Sequence, residues 1–132
     1  MTQARPVNPW TWQDAYGYSQ AVEVADGRRQ LYCAGQTAVD AAGNPLHRGD
    51  MAAQLNLAFD NLERVLGAAG MSLANVVRLN YYTTDVPAFL AASGETGRRL
   101  AAVPVKPAGT LLGVAALYHP DLLVEIEATA VA

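Results

Sequence analysis

The run Leu122 to Val131, LLVEIEATAV, leaves a folded chain few choices. Side chains alternate along a strand, so Leu123, Glu125, Glu127, Thr129 and Val131 share one face and Val124, Ile126, Ala128 and Ala130 the other. The second set is uniformly apolar and must be covered by another layer. The first carries two carboxylates about 6.5 to 7 Å apart, in a secondary structure that acids avoid. A solvated face is the plain explanation, above all for Glu127. Glu125 stands nearer the strand centre, where a further layer or subunit is expected to cover it. A carboxylate desolvated in that way has the raised pKa that general acid or base chemistry requires.

Another apolar run, Thr110 to Leu117, precedes this strand, and Tyr118-His119-Pro120-Asp121 lies between the two. Two β-forming runs around turn residues predict a hairpin, with the last two strands as antiparallel neighbours. At the other end, residues 1–13 form an arm containing Pro6, Pro9, Trp10 and Trp12, too proline-broken for a helix and too aromatic to stay free in water. Tyr18 to Ala25 and Gln30 to Gln36 read as strands joined in a first hairpin by Asp26-Gly27. After a polar loop from Asp40, Asp50 caps a helix whose apolar stripe is Met51, Leu55, Ala58, Leu62, Val65 and Ala69, ended by Gly70. Asn75 to Thr84 alternates as a strand, and Asp85 caps a second helix from Val86 to about Ala102, which Gly94 and Gly97 weaken. The order is β-β-α-β-α-β-β. It predicts one α+β domain, residues 1–132, with two helices on one face of a sheet.

The chain is 52% hydrophobic and 16% charged, more apolar than a small monomer can readily hide, so an oligomer is expected. A net charge of −3 with scattered basic residues argues against nucleic acid as a partner. No apolar run approaches the length of a membrane span, the first residues lack a signal-peptide core, and a cytoplasmic location is expected. Cys33 is the one cysteine and forms no internal disulfide; His47 and His119 lie in loop contexts, so Cys33 is read as buried packing rather than as a nucleophile. No phosphate loop, metal-ligand motif or nucleophile elbow is present, so neither a metal nor a cofactor is implied.

Several linked segments resemble a known family: Tyr18-Ser19-Gln20-Ala21-Val22, Ala34-Gly35-Gln36, Gln54 with Asn61-Leu62 and Ala68-Ala69-Gly70, Tyr82-Thr83-Thr84-Asp85, Pro107-Ala108, and Glu125-Ile126-Glu127-Ala128. In order and spacing they are similar to the Rid family, the reactive intermediate deaminases also called YjgF/UK114. The resemblance implies a chorismate-mutase-like fold and a homotrimer built around a central barrel, with ligand clefts between subunits. For typical members it also implies cofactor-free hydrolysis of enamines or imines released by pyridoxal-phosphate enzymes, giving a keto acid and ammonia. It places Glu125 as the catalytic, water-activating carboxylate, and Tyr18, Ala34, Gly35, Ser93, Gly109, Thr110 and Leu111 as substrate-binding positions.

The chain departs from the family pattern at several of these. The arginine that grips a substrate carboxylate is replaced by Gly109, the usual serine before Gly-Gln by Ala34, an asparagine of the second helix by Ser93, and a small residue by Leu111. A bidentate arginine clamp is charge-assisted and directional, and glycine offers only backbone in its place. Lys106, Arg98 and Arg99 are the candidates to substitute for it. Three readings follow: a deaminase-like hydrolase acting on an imine, enamine or related carbonyl compound without a carboxylate; a trimeric binding or scaffold protein that has lost the chemistry, which Gly109 favours; and a ribonuclease or translation inhibitor, which the acidic charge disfavours.

Overall fold

In the computed structural model, which describes residues 3–132, the longest element is the helix α1 (Met51–Ala68). It forms where the apolar stripe predicts it. The Asp50 carboxylate accepts a hydrogen bond from Ala53 N at 3.0 Å, satisfying a backbone donor that the first turn leaves free. Gly70 takes a positive φ of 71°, and Met71 N then donates back to Leu66 O at 2.9 Å, closing the helix. Its inner face, Leu55, Ala58, Phe59, Leu62 and Leu66, is fully buried. Each such leucine contributes about 1.5 to 3 kcal/mol of burial.

That face packs on a four-stranded sheet in the order β3-β6-β4-β5, made by β3 (Gln30–Tyr32), β4 (Val76–Thr83), β5 (Leu111–Gly113) and β6 (Val124–Val131). In β6 the alternation holds: Val124, Ile126, Ala128 and Ala130 are buried beneath the helices, while Glu125, Glu127 and Thr129 point to the other face. A bulge between Val76 and Arg78 in β4 resets its alternation, so that Leu79 and Thr83 are buried and Asn80 and Tyr82 stand beside the glutamates. A separate two-stranded sheet pairs β1 (Gln3–Val7) with β2 (Ala21–Ala25). Among the described residues no helix is long and apolar enough to cross a membrane.

Both predicted hairpins are absent. Asp26 does adopt the positive φ of 59° that its turn chemistry favours, but the strands on either side of it do not pair. Arg28 N and Arg29 N both donate to Ala132 O, at 3.0 and 2.8 Å, which turns the chain onto the edge of β6, where β3 pairs antiparallel. β2 is left to pair with the arm. The arm is therefore a strand followed by a 3-10 turn (Trp12–Tyr16), with Pro6 tolerated in a ladder of only two strands; residues 1 and 2 of the expected arm lie outside the described residues.

At the other end β5 pairs parallel with β4, and β4 separates it from β6. The connection runs over the end of β4, where Val114 N donates to Thr83 O at 2.9 Å and Thr84 N to Leu123 O at 3.2 Å. Tyr118 is fixed there by a 3.0 Å hydrogen bond with Thr37. The second helix is two pieces, α2 (Val86–Ala92) and α3 (Gly94–Leu100), so three helices cover the sheet. Asp85 caps α2 through Ala88 N at 3.0 Å; the break falls at Ser93, whose hydroxyl donates to Leu90 O at 2.8 Å, just before the weak helix former Gly94. Cys33 is buried, and burial pushes its thiol pKa up, as expected of a packing residue.

Candidate functional site

The residues singled out in the sequence fall into two groups on opposite sides of the sheet. Tyr18, Ser93, Gly109, Thr110 and Leu111 line one cleft of about 840 Å³ between the 3-10 turn, the α2–α3 junction and the β4–β5 edge. Ala34, Gly35 and Glu125 do not line it. Gly35 and Glu125 meet on the outer face instead, where the Gly35 backbone lies against the Glu125 carboxylate, and Ala34 immediately precedes that contact in the chain.

The cleft is walled by aromatic side chains. Trp12, exposed on one side, stands edge-on to Tyr18 at 6.2 Å and leans on Trp10 at 6.4 Å, so the tryptophans of the arm extend the wall outward. Ser19 ties this segment down: its hydroxyl donates to Lys106 O at 2.6 Å and its N–H to Pro107 O at 3.3 Å. On the far wall Tyr81 and Phe89 pack at 5.4 Å. Burial lifts the Tyr81 phenol above its ordinary range, which keeps it a neutral donor. The Thr96 hydroxyl lies close enough to ease that shift but outside hydrogen-bond geometry, and its oxygen is shielded and unpartnered.

None of the three cations considered as carboxylate anchors, Lys106, Arg98 and Arg99, lines this cleft. Lys106 Nζ caps the end of α3, donating to Leu100 O at 2.6 Å, Val103 O at 2.9 Å and Ala101 O at 3.3 Å. Arg98 pairs with Glu95 and with Asn56 Oδ1. Arg99 is held by Asp60 at 2.8 Å, by Glu63 and by the face of Phe59 at 5.4 Å. Gly109 itself runs so close to the Leu79 carbonyl that no side chain can be added there without moving the backbone.

On the outer face the two glutamates differ in their company. Glu127 accepts from the Tyr82 hydroxyl at 2.8 Å and from Asn80 Nδ2 at 3.4 Å. Glu125 receives no side-chain hydrogen bond among the described residues; burial, and then the charge of Glu127, push its pKa above the ordinary 4.5. Asn80 joins the two groups, because its Oδ1 also accepts from Thr110 N at 3.1 Å on the cleft strand. The Tyr82–Asn80–Glu127 cluster was not legible in the sequence, since the register that sets Asn80 opposite Glu127 and Tyr82 opposite Glu125 is a tertiary fact. Gly35→Ala tests the contact beneath Glu125. A methyl group there must push the carboxylate aside, and because that side chain end is flexible, Tm is expected to change by less than about 3 °C. The pH response of Glu125, read by NMR titration of its side-chain carboxyl, is expected to move; an unmoved titration would show that the contact sets nothing.

The family model described as Endoribonuclease L-PSP matches residues 12–132. Protein DfrA of Myxococcus xanthus is 36% identical over 114 residues, covering 86% of this chain and 84% of its own. A 2-iminobutanoate/2-iminopropanoate deaminase of Bos taurus is 36% identical over 72 residues, 54% of this chain and 50% of its own. Among solved structures, YyfB from Yersinia pestis, described as a protein of unknown function of the conserved Rid protein family, superposes with a TM-score of 0.88 at 38% identity over 98% of both chains.

Proposed function

We propose, from the premise that this chain belongs to the Endoribonuclease L-PSP family and so to the Rid proteins, that it hydrolyses an imine or enamine lacking a carboxylate. The observation that carries the reading is the difference between the glutamates: Glu127 is held by Tyr82 and Asn80, while Glu125 is unclaimed and has a raised pKa. A free carboxylate with a raised pKa is better suited to exchange protons with a substrate than an ordinary glutamate is.

In this reaction the Glu125 carboxylate takes a proton from water as the water oxygen bonds to the C=N carbon. The proton then passes to nitrogen; as the C–N bond breaks, the carbinol O–H gives its proton to the Glu125 carboxylate, which hands it to the departing ammonia, so that an iminium plus water becomes a carbonyl compound plus ammonium. An enamine enters the same route once protonated at carbon. No cofactor is needed for this balance. Because Glu125 and the cleft lie on opposite faces of one chain, the reading requires association of subunits, and we take the assembly to be a cytoplasmic homotrimer in which Glu125 and Gly35 of one subunit complete the cleft of the next. The absence of the carboxylate-gripping arginine, with Lys106, Arg98 and Arg99 all engaged elsewhere, favours weak activity on 2-imino acids. The same absence supports the alternative of a binding trimer without turnover.

The test combines assembly with pH dependence. Light scattering is expected to give about three chains per particle, a closed ring of one repeated interface. With any turnover substrate the rate should fall as pH drops through the raised pKa of Glu125, because a general base works only when ionised. Glu127→Gln removes a like charge, lowers the Glu125 pKa and moves that acid limb to lower pH. A monomer, or a limb that stays fixed or rises in Glu127→Gln, sinks this assignment.

A further inference from the structure

Of the nineteen described residues of one subunit that line the cleft, one is charged, and it is an acid, Asp14. The remaining polar side-chain groups are hydroxyls and the Trp12 indole N–H; among the hydroxyls the Thr96 oxygen is shielded and has no partner. The apolar wall includes Trp12, Tyr16, Tyr18, Tyr81 and Phe89, whose ring faces carry negative potential. A carboxylate entering this space would lose water and find no cation, whereas an ammonium or iminium would meet aromatic faces, hydroxyl acceptors and Asp14. The cleft of one subunit offers about 840 Å³ before Glu125 and Gly35 of the next close it, room for a body larger than a three- or four-carbon imine.

We infer that the cleft is specific for an amine-derived cation, an ammonium or iminium on an aromatic or alicyclic body, and rejects carboxylates. The inference rests on the proposed use of this cleft as the ligand site. It gives the hydrolase reading a substrate class, bulky cyclic or aryl iminium ions, in which the cation is recognised by ring faces on the side away from the attacking water. Asp14 is exposed, so its share is a screened, long-range attraction, and the rings supply the larger part of the selectivity.

The experiment titrates the wild-type protein with 2-phenylethylamine, 2-phenylethanol and 3-phenylpropanoate, followed by calorimetry and by the fluorescence of Trp10 and Trp12. The amine is expected to bind about tenfold more tightly than the carboxylate, with the alcohol between them. Asp14→Asn should weaken the amine about threefold and leave the alcohol unchanged, and added salt should act on the amine alone. Trp12→Ala should weaken amine and alcohol together, the amine by about tenfold. Because Asp14 and Trp12 are exposed, both variants are expected to fold, which circular dichroism checks. Equal or tighter binding of the carboxylate overturns the inference, as does failure of all three probes to bind at about 20 mM, a level at which affinities weaker than millimolar still register. Glu125→Gln separates the two ideas. Retained amine preference with unaffected hydrolysis refutes the proton role of Glu125 and keeps the cleft specificity; lost hydrolysis without any amine preference in the parent does the reverse.

Discussion

Glu125→Gln is expected to lower turnover by about a hundredfold or more, the usual worth of a positioned general acid or base, while leaving the particle size and Tm near those of the parent. The substitution keeps the shape of the side chain and removes only the ionisable group. It also removes the repulsion between Glu125 and Glu127, so no loss of stability is expected. Glu125 has a folded pKa above its unfolded one, so its ionisation costs stability as pH rises through that folded value; the glutamine variant should lose this dependence and be slightly more stable at neutral pH. A full rate in the intact oligomer would make Glu125 structural and leave the hydrolase reading without a proton-transfer group.

Gly109→Ala is expected to cost about 3 kcal/mol or more, the upper range for forcing an extra carbon into a closed contact, which is about 10 °C in Tm for a chain of this length. The new methyl would collide with the Leu79 carbonyl oxygen, a backbone atom fixed on both sides: Leu79 N donates to Ala108 O at 2.8 Å, and β4 is paired with β6 there. Gly109→Arg meets the same obstacle before its guanidinium reaches anything, so it should not confer activity on 2-imino acids. Gly94→Ala is the control, since a methyl group there meets nothing within 4 Å and alanine suits a helix better. If Gly109→Ala melts with the parent, the backbone at 109 is free to move and the close approach to Leu79 does not exclude an arginine.

The elements were legible where local chemistry decides them. The α1 stripe, the Asp50 and Asp85 caps and the two faces of β6 each follow from periodicity or a single side chain, and each is present in the fold. Strand partners were not. Asp26-Gly27 and Tyr118 to Asp121 mark where the chain turns, but whether the next strand returns beside its predecessor depends on what else competes for that edge; β6 won β3, and β4 won β5. The site divides in the same way. Sequence motifs named Tyr18, Ser93, Gly109 to Leu111, Gly35 and Glu125, and the fold sorts them into a cleft and an outer face. Asp14, Tyr81 and Phe89 carried no such signal, because their shared wall exists only once the 3-10 turn and the helices close on β4. Nor was there any sign that Lys106 is occupied, since helix ends recruit their cations through space.

Lys106 is the only lysine in the sequence, and its ammonium is spent on three carbonyls beside the cleft wall. Three hydrogen bonds hold that amine in its donating form, so an acylating reagent is expected to react with it faster when the α3 end lets go of it. The rate of amine-specific labelling at this single position becomes a clock for local opening of the segment from Leu100 to Pro107, readable by mass spectrometry in the unmodified protein. Any molecule that fills the cleft and steadies its wall should slow that clock, so binding can be followed without a chromophore, a turnover assay or knowledge of what the natural ligand is.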